Sequence, residues 1–308
     1  MIPEVSAVVP TKDRWPLLER ALRSVLAQDG VVVEAVVVDD GSTDGTRERL
    51  SAWGDPRVRH LRHERSEGVS RARNRGTEAA RAPYVAFLDD DDVWAPDHLN
   101  RLLAALPPGG SFAFARHYVA DLEGKILSRG GDPPAEGLYE LILARNPVVT
   151  PSAVLAWREA VSAAGGFDPR FSITADWDMW IRLGQHGPVG VSRALTVGYT
   201  VHDTSMRTDV DRLLRERTAL EEKHRELLRR HRMGLGDELF WQWIAAGRAP
   251  AAQRRLAARW YVRHQRRYAR PWRMARGLAR LARAPLLADD GLLRTSGEQS
   301  PPWLSPGG

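Results

Sequence analysis

Cysteine is absent from all 308 residues, which excludes disulfides and thiolate metal sites and fits a reducing compartment. Lysine is scarce as well, occurring only at Lys12, Lys125 and Lys223. That scarcity reads as a GC-rich coding bias, so arginine as such carries no functional message. No window approaches the ~20 apolar residues that cross a bilayer. The strand-like run beginning at Met1-Ile2-Pro3-Glu4-Val5 leaves no room for the charged and apolar regions of a secretory signal. No internal repeat of any period is found. A cytoplasmic protein, peripheral to the inner face of the cell membrane at most, is the expectation.

What is present is a chain long enough for one large domain with a helical extension. Its formal charge of +6 is unevenly spread, because residues 239–288 hold 12 Arg and no acid, leaving −6 for the rest.

The first hundred residues alternate strand and helix patterns. Val5 to Val9 reads as a strand ending at Pro10, and Pro16 to Gln28 as a helix with Leu18, Leu22 and Val25 on one face. A buried strand, Val31 to Val38, runs into the turn Asp39-Asp40-Gly41-Ser42-Thr43-Asp44 and a helix from Gly45 to Trp53. A short strand at Val58 to Leu61, a helix over Val69 to Ala80 and a strand over Tyr84 to Leu88 follow. This order predicts an α/β, Rossmann-like, mostly parallel sheet flanked by helices. In such sheets ligands bind beyond the carboxyl ends of the strands. The polar clusters Pro10 to Asp13, Asp39 to Asp44 and Asp89 to Asp92 all fall there.

The last of these clusters is the most informative. Four consecutive aspartates at the end of a buried strand repel by roughly 4 kcal/mol per close pair at an effective dielectric near 20, unless positive charge sits among them. A hard divalent cation such as Mg²⁺ or Mn²⁺ suits oxygen ligands of this kind. A solvated acidic turn leading into a helix near Pro96 is the structural alternative.

The succession Val8-Val9-Pro10-Thr11, Val38-Asp39-Asp40-Gly41-Ser42-Thr43-Asp44, Gly68 to Gly76, Phe87-Leu88-Asp89-Asp90-Asp91-Asp92, Gly165-Gly166-Phe167-Asp168 and Asp176 to Trp180 resembles the family 2 glycosyltransferases of the GT-A fold. The resemblance covers roughly residues 3–205. It implies inverting transfer of a sugar from a nucleoside diphosphate donor of UDP or dTDP type to an acceptor hydroxyl of a glycan, a lipid-linked glycan or a natural product.

The same resemblance assigns Pro10, Thr11 and Asp13 to the nucleoside, with Asp40 accepting from the base and Asp39 beside it. Arg71 would contact the diphosphate, with Arg73 and Asn74 as supports. Asp89 and Asp90 would serve ribose hydroxyls or metal-bound water, and Asp91 would hold Mn²⁺ or Mg²⁺. Asp92 would cap the following helix. Asp176 takes the place of the catalytic base, with Ala175 standing where the family usually has Glu and Asp178 as the next candidate. His202 matches a histidine that approaches the metal or diphosphate. A binding relative without catalysis and a nucleotidyltransferase are the alternatives.

The expected layout is a catalytic domain over 1–205, divided near residue 110 into nucleotide-binding and acceptor-binding halves. A basic helical region over 206–290 and a disordered tail over 291–308 would follow. The basic helices could pack on the acidic domain or meet an anionic membrane surface; nucleic acid is the least favoured partner.

Overall fold

The computed structural model describes residues 2–202, 210–231 and 299–305. The chain divides into two compact units. One comprises Met1–Tyr139, Pro147–Asp203 and Arg294–Gly308, the other Glu140–Asn146 and Thr204–Leu293.

In the first unit, β1 (Val5–Thr11), β2 (Val33–Asp39), β3 (Val58–Arg62) and β4 (Tyr84–Phe87) lie parallel in the order β3-β2-β1-β4. Every residue of β1 and β2 is buried, which accounts for their near-continuous valine runs. Helices α1 (Trp15–Leu26), α2 (Thr46–Ser51) and α3 (Val69–Ala79) make the crossovers. α1 buries Leu18, Ala21, Leu22 and Val25, the stripe set by its 3.6-residue period. α3 comes so close to the sheet that a Cβ at Gly76 would collide with Val8 Cγ1. The chain steps outward from β1 to β3 and then returns to place β4 on the other side of β1. The strand order therefore reverses at β1, where an open sheet has its ligand crevice.

The sheet continues without a break into the later sequence. Its full order is β3-β2-β1-β4-β8-β6-β9-β5, with β7 paired to β6. Here β5 is Val93–Trp94, β6 Phe112–Ala120, β7 Ile126–Arg129, β8 Val154–Trp157 and β9 Val189–Thr200. β8 runs antiparallel to both β4 and β6, while β6 and β9 are parallel. The two halves expected to divide near residue 110 thus share one nine-stranded sheet, parallel at one side and mixed at the other.

The helices α4 (His98–Ala105), α6 (Arg158–Ala163) and α7 (Ala175–Leu183) complete this unit, and α5 (Leu138–Ala144) has no counterpart in the sequence reading. Phe87, Phe112, Phe167 and Trp180 pack together with ring centroids 5.0–6.2 Å apart. α7 is thereby docked beneath the carboxyl end of β4.

In the other unit, the helix expected over Asp209 to Arg232 is two helices, α8 (Val210–Lys223) and α9 (Arg225–Arg230), separated at His224. The arginine-rich stretch Phe240 to Arg283, and with it the membrane and nucleic-acid expectations, lies outside the described residues. Among the described residues no helix is long and apolar enough to cross a membrane.

The disordered-tail expectation is corrected for its last part. Leu304 is fully buried with Val93, Tyr118, Ala120 and Ile126, and Trp303 packs against the same cluster. Arg20 Nη2 donates to the Leu304 carbonyl at 2.5 Å. Composition rich in Ser, Pro and Gly suggested disorder, but Pro301-Pro302-Trp303-Leu304 is short, stiff and apolar enough to dock.

His98 gives the fold a pH dependence. The ring is completely buried, stacked on Trp94 at 4.7 Å, with Nδ1 2.8 Å from Thr196 Oγ1. Burial drives its pKa down to about 3. The folded state therefore holds His98 neutral, whereas the unfolded chain takes up a proton below about pH 6.5. Stability carried by this group is complete above that pH and falls as pH drops toward 3, by about 2 kcal/mol between pH 6.5 and 5. Urea denaturation of wild type and His98→Gln across this range is expected to show a shallower acid slope in the variant; identical slopes would contradict the assignment.

Candidate active site

The site is built at the strand-order reversal. Thr11, the last residue of β1, donates its hydroxyl to Asp90 Oδ2 at 2.7 Å, joining the β1 end to the aspartate run that follows β4. The positive charge that this run requires is supplied first by the protein itself. Arg14 Nη1 lies 3.2 Å from Asp90 Oδ1 and 2.9 Å from Asp91 Oδ2. Arg73 Nη2 lies 2.5 Å from Asp89 Oδ1, with its guanidinium 5.3 Å above the Phe167 ring. His202 Nε2 meets the same Asp91 Oδ2 at 2.9 Å, across 111 residues of sequence.

The electrostatics follow from that crowding. Burial, and then the neighbouring Asp91 charge, push the Asp90 carboxyl up to about 7, against the opposing pull of Arg14 and Thr11. Burial would lower the Arg14 pKa, but Asp90 and Asp91 more than offset it, so the guanidinium stays charged.

Asp92 is not the helix cap expected of it, since α4 begins after Asp97. It is almost wholly inaccessible. Its Oδ2 accepts from Thr150 Oγ1 at 2.9 Å and Ser152 Oγ at 2.6 Å, and its Oδ1 from the Thr200 backbone N–H at 2.9 Å. Ser152 Oγ also lies 3.0 Å from the Asp89 N–H. Thr200 is two residues before His202, so this network ties the strand that delivers the histidine to the loop that presents the aspartates. Burial, helped by the charges of Asp91 and Asp89, raises the Asp92 pKa well above the usual carboxylate range.

The second loop holds Asp39 and Asp40. Asp39 is buried, accepts from the Ser42 N–H at 2.7 Å and pairs with Arg62. Asp40 accepts from His63 Nδ1 at 2.7 Å, Ser66 Oγ at 2.6 Å and the backbone N–H groups of Glu67 and Gly68 at 2.8 and 2.9 Å. Burial acts to raise its pKa, yet these donors together hold it below the ordinary value. Both backbone donors belong to the entry of α3, where the helix dipole favours negative charge. Gly41 makes the approach feasible: its φ is 79°, and a side chain there would press into the backbone of Arg65 and Ser66. Asp13, also at positive φ, accepts from the Thr43 N–H at 2.6 Å and so joins the first loop to the second. The carboxylates of Asp13, Asp39 and Asp40 therefore brace this wall of the crevice in the structure described.

Arg71, in the first turns of α3, is exposed and 4.0 Å from Glu67. Asn74 clamps the loop before α7 through both amide atoms, to the Phe167 carbonyl at 2.8 Å and the Phe167 N–H at 2.7 Å. That loop leads to Asp176 in the first turn of α7, one turn before Trp180, which packs against Phe87 directly ahead of the aspartate run. Asp176 Oδ1 accepts from the Trp177 N–H at 2.7 Å, and the residue is 7% exposed. Asp178 is corrected as an alternative base: it is fully buried and bound to Arg182. Ala175 is fully buried as well.

Among the described residues no group of three or more His, Asp or Glu side chains is arranged to hold a metal ion. Asp91 and His202 nevertheless suit Mn²⁺ or Mg²⁺. Their donor atoms are 2.9 Å apart, close to the ~3 Å separating neighbouring ligands of an octahedral shell with bonds near 2.1 Å. Two protein ligands leave places for phosphate oxygens and water, the usual habit of Mg²⁺ in phosphate chemistry.

Sequence reasoning missed Arg14. The available signal was its position, a charged residue in the loop directly after the strand that ends at the crevice.

Residues 6–161 match the family model described as Glycosyl transferase family 2. The chain is 39% identical over 143 residues to the succinoglycan biosynthesis protein ExoO of Rhizobium meliloti, a match covering 46% of this chain and 41% of that protein. It is 31% identical over 102 residues to UDP-Glc:alpha-D-GlcNAc-diphosphoundecaprenol beta-1,3-glucosyltransferase WfgD of Escherichia coli, covering 33% and 40% respectively. The chain thus spans less than half the length of these two relatives. Among solved structures, S. aureus TarS 1–349 in complex with UDP-GlcNAc shares the fold, with a TM-score of 0.60 at 15% identity over 91% of this chain and 81% of that one.

The Asp92 network is testable by itself. Asp92→Ala leaves the Ser152 hydroxyl and the Thr200 N–H without their acceptor away from water, at about 1 kcal/mol or more each, while Thr150 Oγ1 keeps Ser152 Oγ at 3.2 Å. Chemical denaturation is expected to register a loss of about 2 kcal/mol, and a change below about 1 kcal/mol would show that the network does not hold the loop.

Proposed function

The chain belongs to glycosyl transferase family 2, and on that premise we propose that it is an inverting, metal-dependent transferase moving a sugar from a nucleoside diphosphate donor to an acceptor hydroxyl of a glycan or lipid-linked glycan. The observation that carries the reading is the meeting of Asp91 and His202 at 2.9 Å beside Arg14, on the crevice where the strand order reverses. Relatives with polysaccharide roles, one of them named for UDP-glucose and a diphosphoundecaprenol acceptor, support a UDP-type donor and a lipid-linked acceptor. A fold neighbour solved with UDP-GlcNAc supports the donor class alone.

In this reading Pro10 and Thr11 line the nucleoside pocket, and the wall braced by Asp13, Asp39 and Asp40 presents the base-recognising edge. Asp89 and Asp90 receive the ribose hydroxyls. Asp91 and His202 would hold Mn²⁺ or Mg²⁺, and that ion would supply Lewis-acid neutralisation of the charge growing on the departing diphosphate. Arg71, exposed on the first turns of α3, reaches the diphosphate from the side where the helix dipole also favours an anion. Asp176 takes the proton from the acceptor hydroxyl as it attacks the anomeric carbon from the face opposite the leaving group. Packing of Trp180, on α7, against the Phe87 and Phe167 rings restricts the movement of that carboxylate.

Turnover of a panel of UDP- and dTDP-sugars with Mn²⁺ separates the roles. Asp91→Ala is expected to lose at least ~10³-fold in activity together with the metal requirement. Asp176→Asn is expected to lose about 10²- to 10⁴-fold while retaining nucleotide binding in a thermal-shift assay. A wild-type rate in Asp176→Asn removes it as the base.

A further inference from the structure

Arg14 stands where helix chemistry gives no reason for an arginine. It is the N-cap residue of α1, a position that favours small side chains with an oxygen acceptor, at the helix end that disfavours positive charge. It supplies no side-chain cap, and the Trp15 N–H is met instead by Asp44 Oδ2 at 3.2 Å. The guanidinium turns away to bridge Asp90 and Asp91, on the same Asp91 oxygen that His202 touches.

We propose that Arg14 is a resident counter-cation of the nucleotide-free site: it holds Asp91 in place of the divalent ion and yields that oxygen when the metal arrives with the donor diphosphate. The proposal rests on the metal reading above and deepens it.

The physical case is direct competition. A monovalent guanidinium and a divalent ion cannot share one carboxylate oxygen at close range without repelling each other. Binding of the metal alone must therefore break the Arg14–Asp91 contact and leave the guanidinium on Asp90, beside a divalent ion that repels it. Metal accompanied by a diphosphate brings two negative charges at which the released guanidinium can donate forked hydrogen bonds. The arrangement makes metal binding weak without nucleotide and strong with it, a positive coupling between two ligands that by linkage acts equally in both directions. It also keeps the aspartate run neutralised while the site waits. Arg73, buried against Asp89 and Phe167, has less freedom to leave and remains a fixed partner.

The test is Mn²⁺ binding to the full chain, read by electron paramagnetic resonance of free Mn²⁺, with and without UDP. Arg14→Gln and Arg14→Met both remove the charge, so either suffices if the other fails to fold. Arg14→Lys preserves it. The neutral variants are expected to bind Mn²⁺ alone on the order of tenfold more tightly than wild type, and the factor by which UDP tightens Mn²⁺ should shrink. Arg14→Lys is expected to stay closer to wild type than to the neutral variants. Equal Mn²⁺ affinity in wild type and a folded neutral variant, with UDP coupling intact, would overturn the role of Arg14 and leave the metal site standing. Absence of Mn²⁺ binding in every protein, even with UDP, would overturn the metal reading and this proposal together.

Discussion

The constraint on which the site depends is the need to keep several carboxylates close together at the end of a buried strand. Burial removes the water that would screen them, and each further charge raises the cost of the next. The protein meets this in three ways. Arg14 and Arg73 bring positive charge to Asp89, Asp90 and Asp91, and hydroxyls and one backbone N–H satisfy Asp92. Asp91 is the member placed between Arg14 and His202. The repulsion is thus met by the protein's own cations where the sheet order opens a crevice.

The same constraint explains why distant segments are required. Thr11 comes from β1, Arg14 from the start of α1, Arg73 from α3 and His202 from beyond β9. Each approaches because its element is locked by packing: α3 by the close contact at Gly76, α7 by the Phe87, Phe167 and Trp180 rings, and the end of β9 by Thr200 bonded to Asp92. A loop of four acids would be a liability in isolation. Within this frame it becomes an organising centre.

Much of this was legible in the residues. Valine-rich runs ending in polar turns predicted β1, β2 and β4 and put their carboxyl ends on one edge, because a parallel sheet with helical crossovers has few other solutions. The aspartate run predicted a need for positive charge. Two things were hidden. Side-chain destinations cannot be read from a strand and helix pattern, so Arg14 passed as a loop residue, Asp92 as a cap and Asp178 as a spare base. The docking of Leu304 was also hidden, because its partners Val93, Tyr118 and Ile126 become one apolar cluster only after β5, β6 and β7 have been assembled. Ala175 follows the same lesson: its complete burial is a property of α7 packing that no motif comparison conveys.

The most direct measurement is anomalous diffraction from crystals of the wild-type chain soaked with Mn²⁺ and UDP. The account expects one strong manganese peak bonded to Asp91 Oδ2 and His202 Nε2 and to oxygens of the diphosphate, with Arg14 no longer on Asp91. UDP bound in the crevice without manganese at Asp91, or manganese held elsewhere while Arg14 stays bridged to Asp90 and Asp91, would contradict it.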